Sequence, residues 1–290
     1  IHRANVLWYN KVILQRNGID PATLTTWTAF FAACATIAAN GTEAMPKPIA
    51  LGDSGAWAAE HVFEQILASE GIGFYQDWAN GKVTSATNTT LVDALTKFGT
   101  YLSYVNTNHA ALSWDQATAY LIQNKSVFNI MGDWANGEFL HANKTFGVAY
   151  GAQAAPGTFG YYGLVIDCFQ HPKGVAHPAN SLKWLTVVGS KAGQDAFNPL
   201  KGSIAARNDS DTTKYGPYQT TVAIPNFRAA AHMYPSFTPG SGLPESVAGD
   251  VTTAIGTFVS SARDAPARTA AATAMTTSMT TNAADFTTTW

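Results

Sequence analysis

Apolar residues along this chain crowd into short runs broken by Gly, Pro and Asn, and the spacing inside each run predicts the elements. Residues 3–15, with Val6, Leu7, Trp8, Val12, Ile13 and Leu14, read as a strand and its continuation, closed by a turn around Gly18 and Pro21. Trp27, Phe30, Phe31, Cys34 and Ile37 then recur at helical spacing, behind a cap at Thr25 or Thr26 and up to a stop at Asn40-Gly41. Pro46 and Pro48 exclude helix and lead into an apolar strand, Ile49-Ala50-Leu51, ending in Gly52-Asp53-Ser54-Gly55. A helix is predicted over 56–69 and a mostly helical region over 90–123. Next comes a strand over 127–131 that breaks at Gly132-Asp133-Trp134. A strand over 146–150, a Gly/Pro-rich crossing over 151–160 and a strand over 161–166 ending at Asp167 follow. Helices over 178–189 and 191–197 give way to a turn at Pro199-Leu200-Lys201-Gly202, and the remainder reads as helical with Pro/Gly interruptions between 235 and 244. No internal repeat emerges.

Strands alternating with helices point to an α/β architecture, in which ligands sit at the carboxyl ends of strands. Three predicted strands end in Gly52-Asp53, Gly132-Asp133-Trp134 and Asp167, so polar groups collect where that rule puts a site. With 290 residues, 46% of them hydrophobic, the chain can bury a core large enough for two lobes. Its 17 basic and 19 acidic residues give a net charge of -2 and no basic stretch of the kind a phosphate backbone requires, which excludes nucleic acid as a partner. Only 12% of residues are charged, and Thr, Ala, Ser and Asn fill the surface, as suits an extracellular protein. Cys34 and Cys168 stand in no metal-ligand spacing; they form either one disulfide in an oxidising compartment or two separate thiols. The longest apolar runs, such as residues 30–39, are too short to span a bilayer. The chain begins Ile1-His2-Arg3, without Met or a leader, as a processed or truncated product would. Asn-x-Ser/Thr sequons at Asn40, Asn88, Asn124, Asn143 and Asn208 carry little weight in so Thr-rich a chain.

A sugar needs partners that donate and accept to its hydroxyls and a flat apolar face for its C–H surface. Trp134, at a strand end inside a polar turn, is placed as a stacking platform; its plainer role is to plug a lobe interface. Asp133 can contact a ligand or cap the helix that follows. Asp167, between Gly163-Leu164-Val165-Ile166 and Cys168-Phe169, is an acid held among apolar residues and needs a partner or a ligand hydroxyl. Lys201 supplies a donor or is an ordinary helix C-terminal cation. Catalytic readings fare poorly. The seven histidines never adopt zinc spacing, and neither a nucleophile elbow nor a phosphate loop occurs. A glycosidase pair drawn from Asp53, Glu60, Asp133 and Asp167 is marked by nothing local.

Five short motifs, in this order and spacing, carry a resemblance: residues 2–11 (HRANVLWYNK), Leu51-Gly52-Asp53, Met131-Gly132-Asp133-Trp134, Ala155-Pro156-Gly157-Thr158, and Asn198-Pro199-Leu200-Lys201-Gly202-Ser203-Ile204. The chain resembles, over nearly its whole length, the family 1 extracellular solute-binding proteins of sugar ABC importers, and in particular their glucose/mannose-binding branch. The resemblance implies a periplasmic-binding-protein-like clamshell (type II) of two α/β lobes joined by crossing strands, without cofactor or catalysis, secreted to the periplasm or cell surface. Its partners would be a sugar and the importer's membrane subunits. By carry-over, Trp134 stacks on the sugar, Asp167 and Lys201 bond its hydroxyls, and Trp57 and His61 belong to the site or to its frame; Asp133 joins the candidates on its own placement. Residues 1–162 would form the second lobe with the first crossing strand, 163–205 part of the first lobe, and 206–290 a helical return to the second.

Two departures stand out. That branch carries a sugar-contacting His a few residues before a Pro-Glu-Ser, whereas here Pro239 takes that place ahead of Pro244-Glu245-Ser246, which leaves the sugar open. Family members also begin with roughly a hundred further residues, a domain-sized piece that builds most of the first lobe. Without them an apolar face would stand open unless another chain or a further segment covered it. The other reading is a sensor or structural subunit of an extracellular assembly that binds no sugar.

Overall fold

The structure, a computed structural model, describes residues 1–41, 47–240 and 242–287. Strands β1 (His2–Arg3) and β2 (Val6–Asn10) lead into α1 (Lys11–Arg16). The expected continuation of the strand is therefore a helix. Asn10 turns the chain, because its side-chain oxygen accepts from Ile13 N at 3.0 Å and caps the new helix. In α2 (Trp27–Ala39) the predicted cap is Thr26, whose hydroxyl accepts from Ala29 N, and Trp27, Phe30, Cys34 and Ile37 face the core. Pro46 lies outside the described residues. Of the strand expected at 49–51, only Ile49 makes bridges, to Val105 and Phe128.

Helices α3 (Trp57–Ser69), α4 (Ile72–Ala79), α5 (Thr89–Ser103) and α6 (Trp114–Ile122) precede β3 (Phe128–Ile130) and α7 (Asn136–His141). The next strand, β4, is Tyr150–Ala154, so the strand expected at 146–150 lies four residues later, inside the expected crossing. It is placed by its partner: β2 pairs antiparallel with β4 from Val6↔Ala154 to Asn10↔Tyr150, and with β3 on its other edge. Strand β5 (Tyr161–Val165), helices α8 (Pro178–Gly189), α9 (Lys191–Lys201) and α10 (Ile224–Ala229), strand β6 (His232–Pro235), and helices α11 (Glu245–Ser260) and α12 (Ala265–Thr281) complete the chain. Helix α9 runs past the predicted stop because Pro199 sits in its last turn, and Gly202, at φ +90°, ends it instead.

Two three-stranded sheets result, β3-β2-β4 and β1-β5-β6, the latter mixing antiparallel and parallel pairs. Helix α3 runs through the middle of the core and buries Ala58 through Ala68 without a break. That stretch includes Glu60, His61, Glu64 and Gln65, so each needs an internal partner. Glu64 is a hub. Its carboxylate accepts from Tyr75 Oη (2.8 Å), Ser236 Oγ (2.7 Å), Phe237 N (2.7 Å) and Gln65 Nε2 (3.3 Å), which fastens α3 to the segment leaving β6. Cys34 is buried and Cys168 exposed, and both are free thiols.

Candidate functional site

The register of β1 against β5 sets the site. His2 lies opposite Val165, so the chain leaving β5 carries Asp167 past the imidazole, whose Nε2 is 3.5 Å from Asp167 Oδ2. The other ring nitrogen, Nδ1, is hydrogen-bonded to Asp133 Oδ1. From the opposite side Lys201 Nζ donates to Asp167 Oδ2 at 2.8 Å. A continuous polar run results, from Lys201 through Asp167 and His2 to Asp133, drawn from four separate stretches of sequence. Burial pushes the Asp167 carboxyl up, but the hydrogen bond and charge of Lys201, with His2 behind them, outweigh it and hold the acid below its usual range.

Close backbone approach makes this geometry possible. A Cβ on Gly202 would stand 3.0 Å from the Asp133 carbonyl, which shows how tightly the end of α9 abuts the turn after β3. At Gly132 a Cβ would meet the Trp134 ring at 2.2 Å, because the indole folds back over that glycine. The ring centroid of Trp134 then lies 5.5 Å from His2, edge to face at 83°, 5.8 Å from His61 and 6.4 Å from Trp57. Trp134 and Trp57 are both partly exposed, an aromatic wall beside a polar run.

The model of the bacterial extracellular solute-binding protein family matches residues 1–195. The chain belongs to that family. It is 38% identical over 262 residues to an uncharacterized ABC transporter extracellular-binding protein of Pyrococcus horikoshii, covering 90% of this chain and 58% of that protein. A probable sugar-binding periplasmic protein of Rhizobium meliloti is 32% identical over 218 residues, 74% of this chain and 51% of that one. Among solved structures, the bacterial solute receptor AcbH, described with an exclusive preference for β-D-galactopyranose, superposes with a TM-score of 0.81 at 16% identity, over 97% of this chain and 70% of that one. The fold is the two-lobed α/β fold of these solute-binding proteins, and the chain spans between half and two-thirds of the length of these two relatives.

Set in this family, the residues singled out in the sequence occupy one cluster but unequal positions in it. Asp133 is fully buried and makes no capping bond, since the helical turn it opens is entered from Gly132; its carboxylate is spent on His2. His61 is fully buried, with Nε2 3.0 Å from the Ala4 carbonyl. Burial lowers its pKa to about 4 despite that carbonyl, so it is neutral and ties α3 to the link between β1 and β2. Asp167 was expected among buried residues, yet it is half exposed, and so are Ile166 and Phe169 on either side. Phe169 meets the Trp184 ring edge to face at 4.9 Å, yet both rings and Ile166 remain about half exposed.

His2 was not anticipated, although it opens the first motif, and it is the residue that joins the two acids. Its Nε2 and Asp133 Oδ2 are buried polar atoms without a hydrogen-bond partner. The other acids of the unmarked glycosidase set, Asp53 and Glu60, serve helix α3. Asp53 accepts from Ala59 N at 3.0 Å and Glu60 from Thr252 Oγ1 at 2.8 Å, and burial raises them to about 6 and about 7 against those bonds. Among the described residues, no group of three His, Cys, Asp or Glu side chains is arranged to hold a metal ion, and no helix is long and apolar enough to cross a membrane.

Proposed function

We propose that this chain is the greater part of a secreted sugar-binding protein, periplasmic or at the cell surface, that delivers a neutral monosaccharide or short oligosaccharide to the membrane subunits of an ABC importer and catalyses no reaction. The observation that carries the reading is the convergence of Lys201, Asp167 and His2 beside the partly open rings of Trp134 and Trp57. A paired carboxylate and ammonium satisfy each other in the empty site and re-aim at hydroxyls when a sugar enters. The indoles offer the flat apolar face. Asp167, Lys201, Trp134 and Trp57 then touch the ligand, whereas the buried Asp133 and His61 orient His2 and the frame. The name of the Rhizobium meliloti relative and the galactose of AcbH favour a sugar, and the motifs favour the glucose/mannose branch.

The lobe division at 162 and 205 is part of the same reading. It is supported by Tyr218, which returns after residue 205 to pack 4.8 Å from Trp8 in the β3-β2-β4 layer. Helix α8 buries none of its residues, and Ile166, Leu182, Trp184, Val187, Phe197 and Leu200 are 45–81% exposed. On this reading another chain, or a further segment of the kind that lengthens the relatives, covers that face.

Calorimetry against glucose, mannose, galactose and maltose is the test, run on protein whose intact mass has first been compared with the 30.8 kDa of these 290 residues. Heat with at least one sugar is expected. None from a preparation carrying the complete lobe would overturn the transport reading.

A further inference from the structure

A polar pocket, built from none of the residues above, lies where the C-terminal end of α5 meets the link between α11 and α12. It encloses about 650 Å³, within the usual ~300–1,000 Å³ of small-molecule sites, and Lys47, Thr100, Asn106, His109, Arg263 and Arg268 line it. Three cations thus share one pocket with no Asp or Glu among the described lining residues, in a chain whose net charge is -2.

Ordinary structural duties account for only part of this. Lys47 Nζ donates to the Ser103 carbonyl at 2.8 Å at the end of α5, and Arg268 Nη1 to the Arg263 carbonyl at 3.0 Å. The Arg263 guanidinium makes neither a hydrogen bond nor an ion pair among the described residues, and the neighbouring Asp264 carboxylate is taken up by Ala267 N at 3.0 Å. Arg263 also stands at φ +60°, in the left-handed region that costs an L-residue roughly 1–2 kcal/mol, although glycine would serve that turn without strain. A third sign is His109, whose Nδ1 is buried without a partner.

We propose that this cavity is an oxyanion site for a small phosphate- or carboxylate-bearing ligand. The Arg263 fork takes two oxygens side by side, Arg268 and Lys47 add charge, and the hydroxyl of Thr100 and the ring of His109 complete the donors. The strained arginine is kept because the guanidinium is needed where the turn places it.

Inorganic phosphate and citrate, titrated separately at low salt and followed by calorimetry and by the His109 ring resonances, test this. Saturable binding of at least one anion is expected, the stronger arm identifying phosphate or carboxylate as the ligand group. Arg263→Gly keeps the backbone conformation and removes only the fork, so the variant should fold at least as well and bind roughly tenfold more weakly, the order expected for a lost charge-assisted hydrogen bond. Sugar binding should be unchanged in that variant, which separates this site from the one proposed above. No saturable binding of either anion by the wild type, or equal binding by wild type and Arg263→Gly, overturns the proposal.

Discussion

Glu64→Gln is the substitution whose consequence can be worked out most fully. Burial lifts the Glu64 carboxyl from 4.5 to about 7, against the lowering pull of Ser236, Tyr75 and Phe237. The folded protein therefore holds a proton that the unfolded chain releases. Its contribution is fully present below about pH 4.5 and is lost as pH rises toward about 7, at ~1.4 kcal/mol per pH unit, on the order of 3 kcal/mol in all. His61, one turn away, works in the opposite sense. Burial drops it from 6.5 to about 4, so the unfolded chain takes up a proton that the folded one refuses, and stability rises with pH across that window. Glu60 and Asp53, raised by burial to about 7 and about 6, titrate over much of the same range in the sense of Glu64, so the contribution of Glu64 shows only by difference between the wild type and the variant. Near pH 5 the variant should be less stable by ~1–3 kcal/mol, since an amide cannot accept from all the donors that the acid satisfies. By about pH 8 that deficit should shrink by on the order of 3 kcal/mol. Urea unfolding of both proteins across this range, with equal denaturant slopes, reads the difference directly. A deficit constant with pH, or one growing as pH rises, would mean that the four donors and not burial decide the charge of Glu64.

Three further substitutions address the site and a fourth, at Trp27, the core. Trp134→Ala should abolish most sugar affinity at little cost in stability. Trp27→Ala, which removes a buried ring and its bond to Ser69 Oγ (2.8 Å), should cost ~3–5 kcal/mol of stability and leave affinity alone; equal melting losses with affinity untouched at Trp134 would show that core had been mistaken for site. Asp167→Asn should keep the fold and weaken sugar binding by ~1.5 kcal/mol, the low end for a bond to a charged group because the carboxylate is half exposed. Lys201→Met should do the same, and calorimetry showing both changes silent would reduce their contact to a surface ion pair.

Much of this was legible in the sequence, for reasons that differ by element. The helical spacing of Trp27, Phe30, Cys34 and Ile37 and the cap at Thr26 are local facts, and local facts fixed α2. Strand β4 was misplaced because its position depends on pairing with β2, which no window around residue 150 contains. The helix α1 was read as strand because Val12-Ile13-Leu14 favours both, and one Asn10 side chain decided between them. The glycines and acids at strand ends mark Asp133, Trp134 and Asp167 as candidates, and the structure brings them into one cluster with Lys201. His2 escaped because its role comes from the register of β1 on β5, a contact across 163 positions. Nothing within residues 56–69 themselves marks Glu64 and Gln65 as interior positions. Tyr75 from α4 and the arrival, far along the chain, of Tyr234, Ser236 and Phe237 make them interior.

That late arrival bears on how the chain reaches its native state. Helix α3 is sealed by partners as far away as 172 residues at Ser236 and 192 residues at Thr252, and long separations of this kind slow folding because loop closure must precede the contacts that reward it. Until residues 232–258 are made and docked, the outer flank of α3 presents Glu60, Glu64 and Gln65 rather than an oily stripe. The acids are then ionised and hydrated, so the unfinished chain stays wettable along the helix that will become its most buried element. Only closure by the last segments raises their proton affinity and turns a soluble surface into a core.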